Sequence, residues 1–392
     1  MKIKYNILKV IFGGGSLKYL LGRVADFFRE SDKLLLILCM MATTYGCIAV
    51  FSTTFYMENF RPVIIQVLAM FLGLCAAVII STYDYKKIFK KWYLIAFLGL
   101  VPVILTFFFG IAPEGTDDKA WLDLGITTFQ PSELMKVCFV VTFSAHLKKI
   151  KPNINKPKYL IPLLLHGFFP VGLIFLQGDW GTAIVFGVIT IFMMWAAGVS
   201  WKYFLAGISS ALVASPFFYF FVLSEDHRER IMTLFSTEKD IQGIHYQQWR
   251  GSVALANGGL FGQGLLKGDL TQAGGVPESH NDFIFVCIGE EFGFIGCLVV
   301  ILLLAAICLR CMRVARICID DGGKFICVGI FSMIFAQAVI NLGMCTSILP
   351  VIGVTLPFFS SGGTSLLCLY LGIGLALNVY KHRNSRVIYL RD

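Results

Sequence analysis

Phe283-Ile-Phe-Val-Cys-Ile-Gly-Glu-Glu-Phe-Gly-Phe-Ile-Gly-Cys-Leu-Val-Val-Ile-Leu-Leu-Leu-Ala-Ala-Ile-Cys-Leu309 decides the class of this chain. The run exceeds the roughly 20 apolar residues a helix needs to cross a bilayer. Just before it, Gly274-Gly-Val-Pro-Glu-Ser-His-Asn-Asp282 is polar and broken by Gly and Pro, so Asp282 stands where a loop enters the helix. Glu290 and Glu291 follow two turns further in. A charge at the centre of a membrane helix costs roughly 2.5–3.5 kcal/mol on insertion scales, so such acids are paired or used. Asp282 taken alone also suits a solvated helix start, where an acid favours the positive end of the helix dipole.

Composition agrees with a membrane. The chain is 57% hydrophobic and 15% charged with a mean hydropathy of +0.76, against about 25% charged in soluble domains. Most of its 12 cysteines lie in apolar runs, where free Cys acts as a small hydrophobe, and no disulfide framework is legible. One C-x-x-C, Cys308 and Cys311 with Cys318 nearby, lacks the second pair or histidines of a zinc site. The net charge of +9 does not mark a nucleic-acid binder, because 25 of the 33 Lys and Arg fall in segments that alternate to one side of the spans. That is the positive-inside pattern. No secretory signal with a small-residue cleavage site is evident at the N-terminus.

The expected fold is all-α and polytopic, with ten transmembrane helices at 34–56, 62–82, 92–110, 131–147, 159–176, 180–199, 201–223, 283–309, 325–348 and 361–380. A basic juxtamembrane tail (1–33) precedes the 34–380 membrane domain, and a second basic tail (381–392) follows it. Ten spans place both termini on the same side, and the basic tails make that side cytoplasmic. Within the N-terminal tail, Tyr5–Phe12 and Leu17–Phe28 read as short amphipathic helices lying on the membrane. Three connections fall outside. Residues 111–130 carry Glu114, Asp117, Asp118 and Asp123 against Lys119. Loop 224–282, between the seventh and eighth helices, is far longer than ordinary connections; such loops are usually functional or disordered, and this one is not low-complexity. Within it, Ile244–Leu260 has helical spacing, with Tyr246, Trp249, Val253 and Leu255 as candidate anchors. The uncharged segment 349–360, with two prolines, is expected to tuck into the outer interface or re-enter it, buried against protein.

Four constellations can carry chemistry. Gln130-Pro-Ser-Glu-Leu-Met-Lys136 opens the fourth span, with Pro in its first turn and Glu133 spaced to pair Lys136 on one face. A lysine more than a turn into an apolar helix needs a partner or a wet cavity. Asp179 in Gln177-Gly-Asp-Trp-Gly-Thr182 caps the sixth span or serves a site. Arg228 and Arg230 follow the seventh span and offer paired planar donors suited to phosphate. Ser360-Ser-Gly-Gly-Thr-Ser365 opens the last span with small residues that permit close packing or backbone approach to an anion.

Together these motifs resemble the shape, elongation, division and sporulation family of RodA/FtsW proteins. The resemblance rests on Trp121-Leu-Asp-Leu-Gly125, Phe129-Gln-Pro-Ser-Glu133-x-x-Lys136 and Gln177-x-Asp-x-Gly-Thr182. Gly258-Gly-Leu-x-Gly262, Pro277-Glu-x-His-x-Asp-Phe-Ile-Phe285 and Gly289-Glu-Glu-Phe-Gly293 continue it. Asn341-x-Gly-Met344, Leu349-Pro-Val-x-Gly353 and Leu356-Pro-Phe-x-Ser360-x-Gly-Gly363 complete it in family order. Ala120, Gln263 and Ser361 depart from the pattern, while the charged residues of each motif are kept. The first two motifs are closer to the RodA (elongation) branch.

The resemblance implies a peptidoglycan glycosyltransferase of the bacterial cytoplasmic membrane. It would polymerise lipid II at the outer face, for cell elongation and shape, beside a class B penicillin-binding protein transpeptidase. It implies Asp282 as the catalytic residue, with Glu278 and His280 in the same motif. A sugar 4-hydroxyl must lose a proton as it attacks an anomeric carbon, which a carboxylate in hydrogen-bond reach can accept. The departing lipid pyrophosphate needs cations, for which Lys136, Arg228 and Arg230 are the candidates. A divalent cation, Mg or Mn, bridging phosphates is compatible, with Asp179 and Glu133 as candidate ligands or as groups that orient Lys136. No other cofactor is expected. A lipid II flippase would gather its polar groups near the midplane, whereas Asp282, Asp179 and Glu133 map to helix ends. A non-catalytic scaffold for the transpeptidase would have no need of the acids.

Overall fold

The computed structural model describes residues 29–112, 118–123, 125, 128–223, 225–232 and 245–383. The two amphipathic pieces of the N-terminal tail, Glu114 and Asp117, and the tail beyond Arg383 lie outside the described residues. The helices are α1 (Lys33–Phe55), α2 (Arg61–Thr82), short α3 (Tyr85–Lys90), α4 (Trp92–Phe109), α5 (Pro131–Ile150), α6 (Pro157–Leu176) and α7 (Trp180–Ala197). They continue as α8 (Trp201–Phe217, prolonged by a wide turn Phe218–Val222), α9 (Glu225–Met232), α10 (His245–Gly258), α11 (Asp269–Gln272), α12 (Ile284–Ile317), α13 (Asp321–Cys345) and α14 (Gly363–Lys381). Among the described residues, β structure is confined to a pair of antiparallel two-residue strands, Leu122–Asp123 with Thr128–Phe129, ahead of α5, and an isolated bridge between Ile111 and Trp121.

Among the described residues, nine helices are long and apolar enough to cross a membrane. The tenth expected span is α5, a 20-residue helix that carries Glu133, Lys136, Lys148 and Lys149. Its charged ends keep it from reading as a membrane helix by hydropathy, and its middle is buried among the others. Helix starts follow local chemistry. Asp32 accepts the Leu35 N–H at 3.1 Å at the start of α1, and Pro occupies the first turn of α2, α5 and α6, where the missing N–H costs nothing.

α13 runs through the centre and packs against α5, α7, α12 and α14. α14 lies along α2 at backbone distance: a Cβ on Gly374 would meet the Ala77 Cα at 2.7 Å, so only Gly allows this approach. Across the helices nearby, Thr43 Oγ1 and Tyr370 Oη lie 3.0 Å apart. At the basic end of the bundle, Arg310 pairs with Asp32 (2.7 Å) and Lys148 with Asp320 (2.6 Å). α8 is the exception in packing, since none of its residues is buried.

One expectation is corrected here. The apolar run 283–309 is not a single span, because α12 is broken at Gly293, where φ is 67° and ψ is −165°. That region of backbone space is open essentially to Gly alone. The break separates a short buried helix, residues 284–292, from the longer piece that follows. The loop wedges into the break: Phe294 N donates to Gly259 O (2.9 Å) and Gln263 N to Glu290 O (3.0 Å). Glu290 and Glu291 therefore sit at the loop-packed end, not two turns deep in a membrane helix. Within the described part of the long loop, α10 matches the expected 244–260 helix and α11 follows it.

Gly293→Ala should cost about 1–3 kcal/mol from backbone strain alone, and more because its Cβ would lie 2.4 Å from Gly262 N. The thermal midpoint of the detergent-solubilised protein should fall; an unchanged midpoint would contradict the break.

Candidate active site

The first two turns of α5 hold an ion pair buried from solvent. Lys136 is 1% exposed and Glu133 5% exposed, and Lys136 Nζ donates to Glu133 Oε1 at 2.7 Å. The i,i+3 spacing makes the contact, and the isolation of Lys136 from water makes it obligatory. Gln130, one residue before the helix, donates from Nε2 to Asp179 Oδ2 at 3.1 Å. Asp179 in turn caps α7, accepting from Thr182 N at 2.9 Å. The cap and the site are thus one residue. Burial raises the Asp179 pKa, while the Thr182 bonds and Lys136 pull against it.

Asp282 stands just ahead of α12 and keeps partial access to solvent. Segment 349–354 runs past its carboxylate: a Cβ on Gly353 would lie 3.7 Å from Asp282 Oδ2. The same segment packs on the start of α7, where a Cβ on Gly181 would stand 2.3 Å from Ile352 O. As expected, segment 349–360 is largely buried against protein. Burial, followed by the Glu278 and Asp179 carboxylates, pushes the Asp282 pKa up to about 7. Asp179 lies in electrostatic reach of Asp282 on one side and of Glu133 and Lys136 on the other. Four sequence-predicted residues from three separate stretches therefore converge.

The remaining candidates border this group. Glu278, at a left-handed φ of 49°, accepts from Asn281 Nδ2 at 2.8 Å. His280 has its pKa lowered by burial, with Glu278 opposing, and its Nδ1 is buried without a partner among the described residues. Arg230 reaches the segment beside Asp282, donating to Val351 O at 2.9 Å. Arg228 donates to Phe220 O at 2.8 Å at the end of α8's wide turn. Glu290 accepts from Leu270 N (2.9 Å), Thr271 N (2.8 Å) and Thr271 Oγ1 (2.6 Å). Glu291 accepts from Ser52 Oγ (2.6 Å) and Gln272 Nε2 (3.0 Å). These two acids fasten the loop to α1 and α12.

Among the described residues no group of three or more His, Cys, Asp and Glu is gathered to hold a metal. Cys308 and Cys311 are buried free thiols. Sequence reasoning gave no site role to the side chains of Gln130, Asn341 and Gln66, and read Ser360 only as part of the small-residue opening of the last span. Gln66 and Asn341, both fully buried, interrupt apolar runs, and that is the signal that marks them.

A family model described as "Cell cycle protein", covering FtsW, RodA and SpoVE, matches residues 32–385. The chain belongs to the FtsW/RodA/SpoVE family. It is 30% identical over 360 residues to the peptidoglycan glycosyltransferase MrdB of Escherichia coli K12, covering 90% of this chain and 94% of that one. Its fold matches a chain from a solved structure titled "Structural coordination of polymerization and crosslinking by a peptidoglycan synthase complex", with a TM-score of 0.76 and 26% identity, covering 90% of this chain and 98% of that one. It also matches Thermus thermophilus rod shape determining protein RodA, with a TM-score of 0.67 and 25% identity over 90% of this chain and 98% of that one. The RodA-like reading of the sequence accords with these relatives.

In this FtsW/RodA/SpoVE chain, Lys136→Met alone leaves the Glu133 charge buried and unpaired and should destabilise by about 3–5 kcal/mol. The double variant Glu133→Gln/Lys136→Met should recover most of that loss. Equal thermal midpoints for Lys136→Met and wild type would show that the pair does not exist in the membrane.

Proposed function

We propose that this peptidoglycan glycosyltransferase polymerises lipid II, with Asp282 as the base that activates the acceptor sugar hydroxyl. The observation that carries the reading is the placing of Asp282, a partly exposed residue, beside the Asp179–Lys136–Glu133 group, with burial raising its carboxyl pKa to about 7. A base works best when its pKa lies near the working pH, because it is then both available and strong enough to take the proton. Lys136 supplies the cation for the departing pyrophosphate, with Glu133 and Asp179 fixing its position. Arg230 and Arg228, on α9, add planar donors to phosphate when substrate replaces the carbonyls they now hold.

A divalent cation, Mg or Mn, fits as an ion carried mainly by the substrate's phosphates with one or two protein carboxylates. Glu133 has one oxygen committed to Lys136 and Asp179 has both engaged by Thr182 and Gln130. A protein-only cage is therefore not available from the two candidate ligands. Polymerisation should weaken in EDTA and recover on adding Mg or Mn; full activity in chelator would remove the cation from this reading.

Substrate and partner follow the same logic. Donor and acceptor are both lipid-anchored, so a site at the ends of the helices, opposite the basic connections, faces the outer leaflet with both termini in the cytoplasm. The partner that cross-links the strands is a class B penicillin-binding protein. A structural neighbour drawn from a synthase complex that couples polymerization to crosslinking supports this.

Purified with its partner, wild-type protein should convert lipid II to glycan strands, and Asp282→Asn should make none while remaining folded and partner-bound. Strand synthesis by the Asn variant would refute the assignment. The acid limb follows in sign from the raised pKa: below about 7 the carboxyl is protonated and cannot accept a proton. The rate should therefore fall about tenfold per pH unit below that value, measured as kcat/KM between pH 5 and 8.

A further inference from the structure

Three consecutive carbonyls at the entry to α12 are each held by another part of the fold. His280 O accepts from Ser361 N at 2.8 Å. Asn281 O accepts from Ser360 Oγ at 2.7 Å. Asp282 O accepts from Asn341 Nδ2 at 2.8 Å. Asn341 is fully buried on α13, and the same amide nitrogen donates to Val354 O at 2.7 Å. Both partners are carbonyls, so the NH2 side of the amide must face them, and both of its N–H groups are used. One helical turn on, Cys345 Sγ lies 3.5 Å from Asp282 O and 3.6 Å from Asn341 Oδ1, adding a weak thiol donor.

Ser360 is itself locked. Its hydroxyl accepts from Leu356 N at 2.8 Å, and its carbonyl accepts from Gln66 Nε2 at 3.0 Å on α2. Gln66 Oε1 takes the Gly362 N–H at 3.3 Å, so this amide grips both sides of the turn into α14. Residues 280–282 have no such partners in their own helix. Their backbone is positioned by α13 on one side and by α2 and the 356–362 turn on the other. Asn341 also joins Asp282 to Val354, beside the segment that passes the carboxylate.

We propose that Asn341 and Ser360 are positioning residues for Asp282. They hold its backbone from two sides so that the carboxylate faces the acceptor hydroxyl at the distance proton transfer requires. Neither touches substrate. The proposal rests on Asp282 being the base. A buried polar clamp of this kind is more than packing, because an apolar side chain of the same shape leaves two carbonyls free to shift. A displacement of about 1 Å at a reacting group can cost on the order of 100-fold in rate.

The test uses the full-length protein with its partner and lipid II, comparing wild type, Asn341→Leu, Ser360→Ala and Asp282→Asn. Each is first shown to be monodisperse and partner-bound. With the clamp acting as inferred, Asn341→Leu lowers kcat roughly 10–100-fold and leaves KM within about twofold. The acid limb of its pH profile also moves, since the distances from Asp282 to Glu278 and Asp179 change. Ser360→Ala, which deletes a single hydroxyl, gives the same pattern in weaker form and stands in if Asn341→Leu does not fold. A folded Asn341→Leu or Ser360→Ala with wild-type kcat and an unmoved acid limb overturns the proposal. So does a loss confined to thermal stability, which is what a purely structural bond would give. Strand synthesis by Asp282→Asn, whose clamp is intact, would instead bring down the base assignment, so the two failures are read in different variants.

Discussion

The break at Gly293 is the constraint on which the site end of this molecule depends. A continuous helix from Phe283 to Ile317 would carry Glu290 and Glu291 into hydrocarbon and would leave loop 259–275 without an anchor. With the break, the short helix 284–292 stays among polar partners, and the loop closes onto the two exposed ends of the interrupted backbone. The glutamates then serve as acceptors for α11 and for Ser52, and their charge is met by donors rather than by lipid. Asp282, at the head of the short helix, is thereby set at the edge of the bundle with partial access to solvent.

Around that edge the protein concentrates polarity that the remainder of the bundle avoids. Lys136 cannot be exposed to lipid and cannot be buried alone, so Glu133 accompanies it. Asp179 serves α7 as a cap and the site as a carboxylate, and Gln130 holds its second oxygen. Each group is doubly employed. In a low-dielectric setting this economy matters, because every further unpaired group would cost as much as the ones already satisfied.

Much of this was legible from residues. The apolar runs located all ten long helices, and the spacing of Glu133 and Lys136 announced their contact. Asp179 as a cap, the helix within 244–260 and the burial of segment 349–360 followed from local rules. The Gly293 break did not, because Gly293 stands between Phe292 and Phe294 in a stretch that still reads as helix, and glycine is common in membrane helices. The contacts of Asn341, Ser360 and Gln66 were hidden for a different reason. They bind backbone carbonyls, which have no side-chain signature, and they join stretches 59 (Asn341–Asp282), 79 (Ser360–Asn281) and 294 (Gln66–Ser360) residues apart. Gln66 and Asn341 did carry a warning, as amides inside apolar runs.

That separation has a consequence for biogenesis. Among the described helices Gln66 lies on the second, α2, whereas Ser360 and the α14 that follows it come last, 294 positions later. α14 then packs along α2, near the opposite end of the chain. A nascent chain with nine helices already inserted has its acids and its lysine in place, yet residues 280–282 still lack half of their supports. If Ser360 positions Asp282 as proposed, that positioning is complete only once α14, the last of the described helices, has packed along α2.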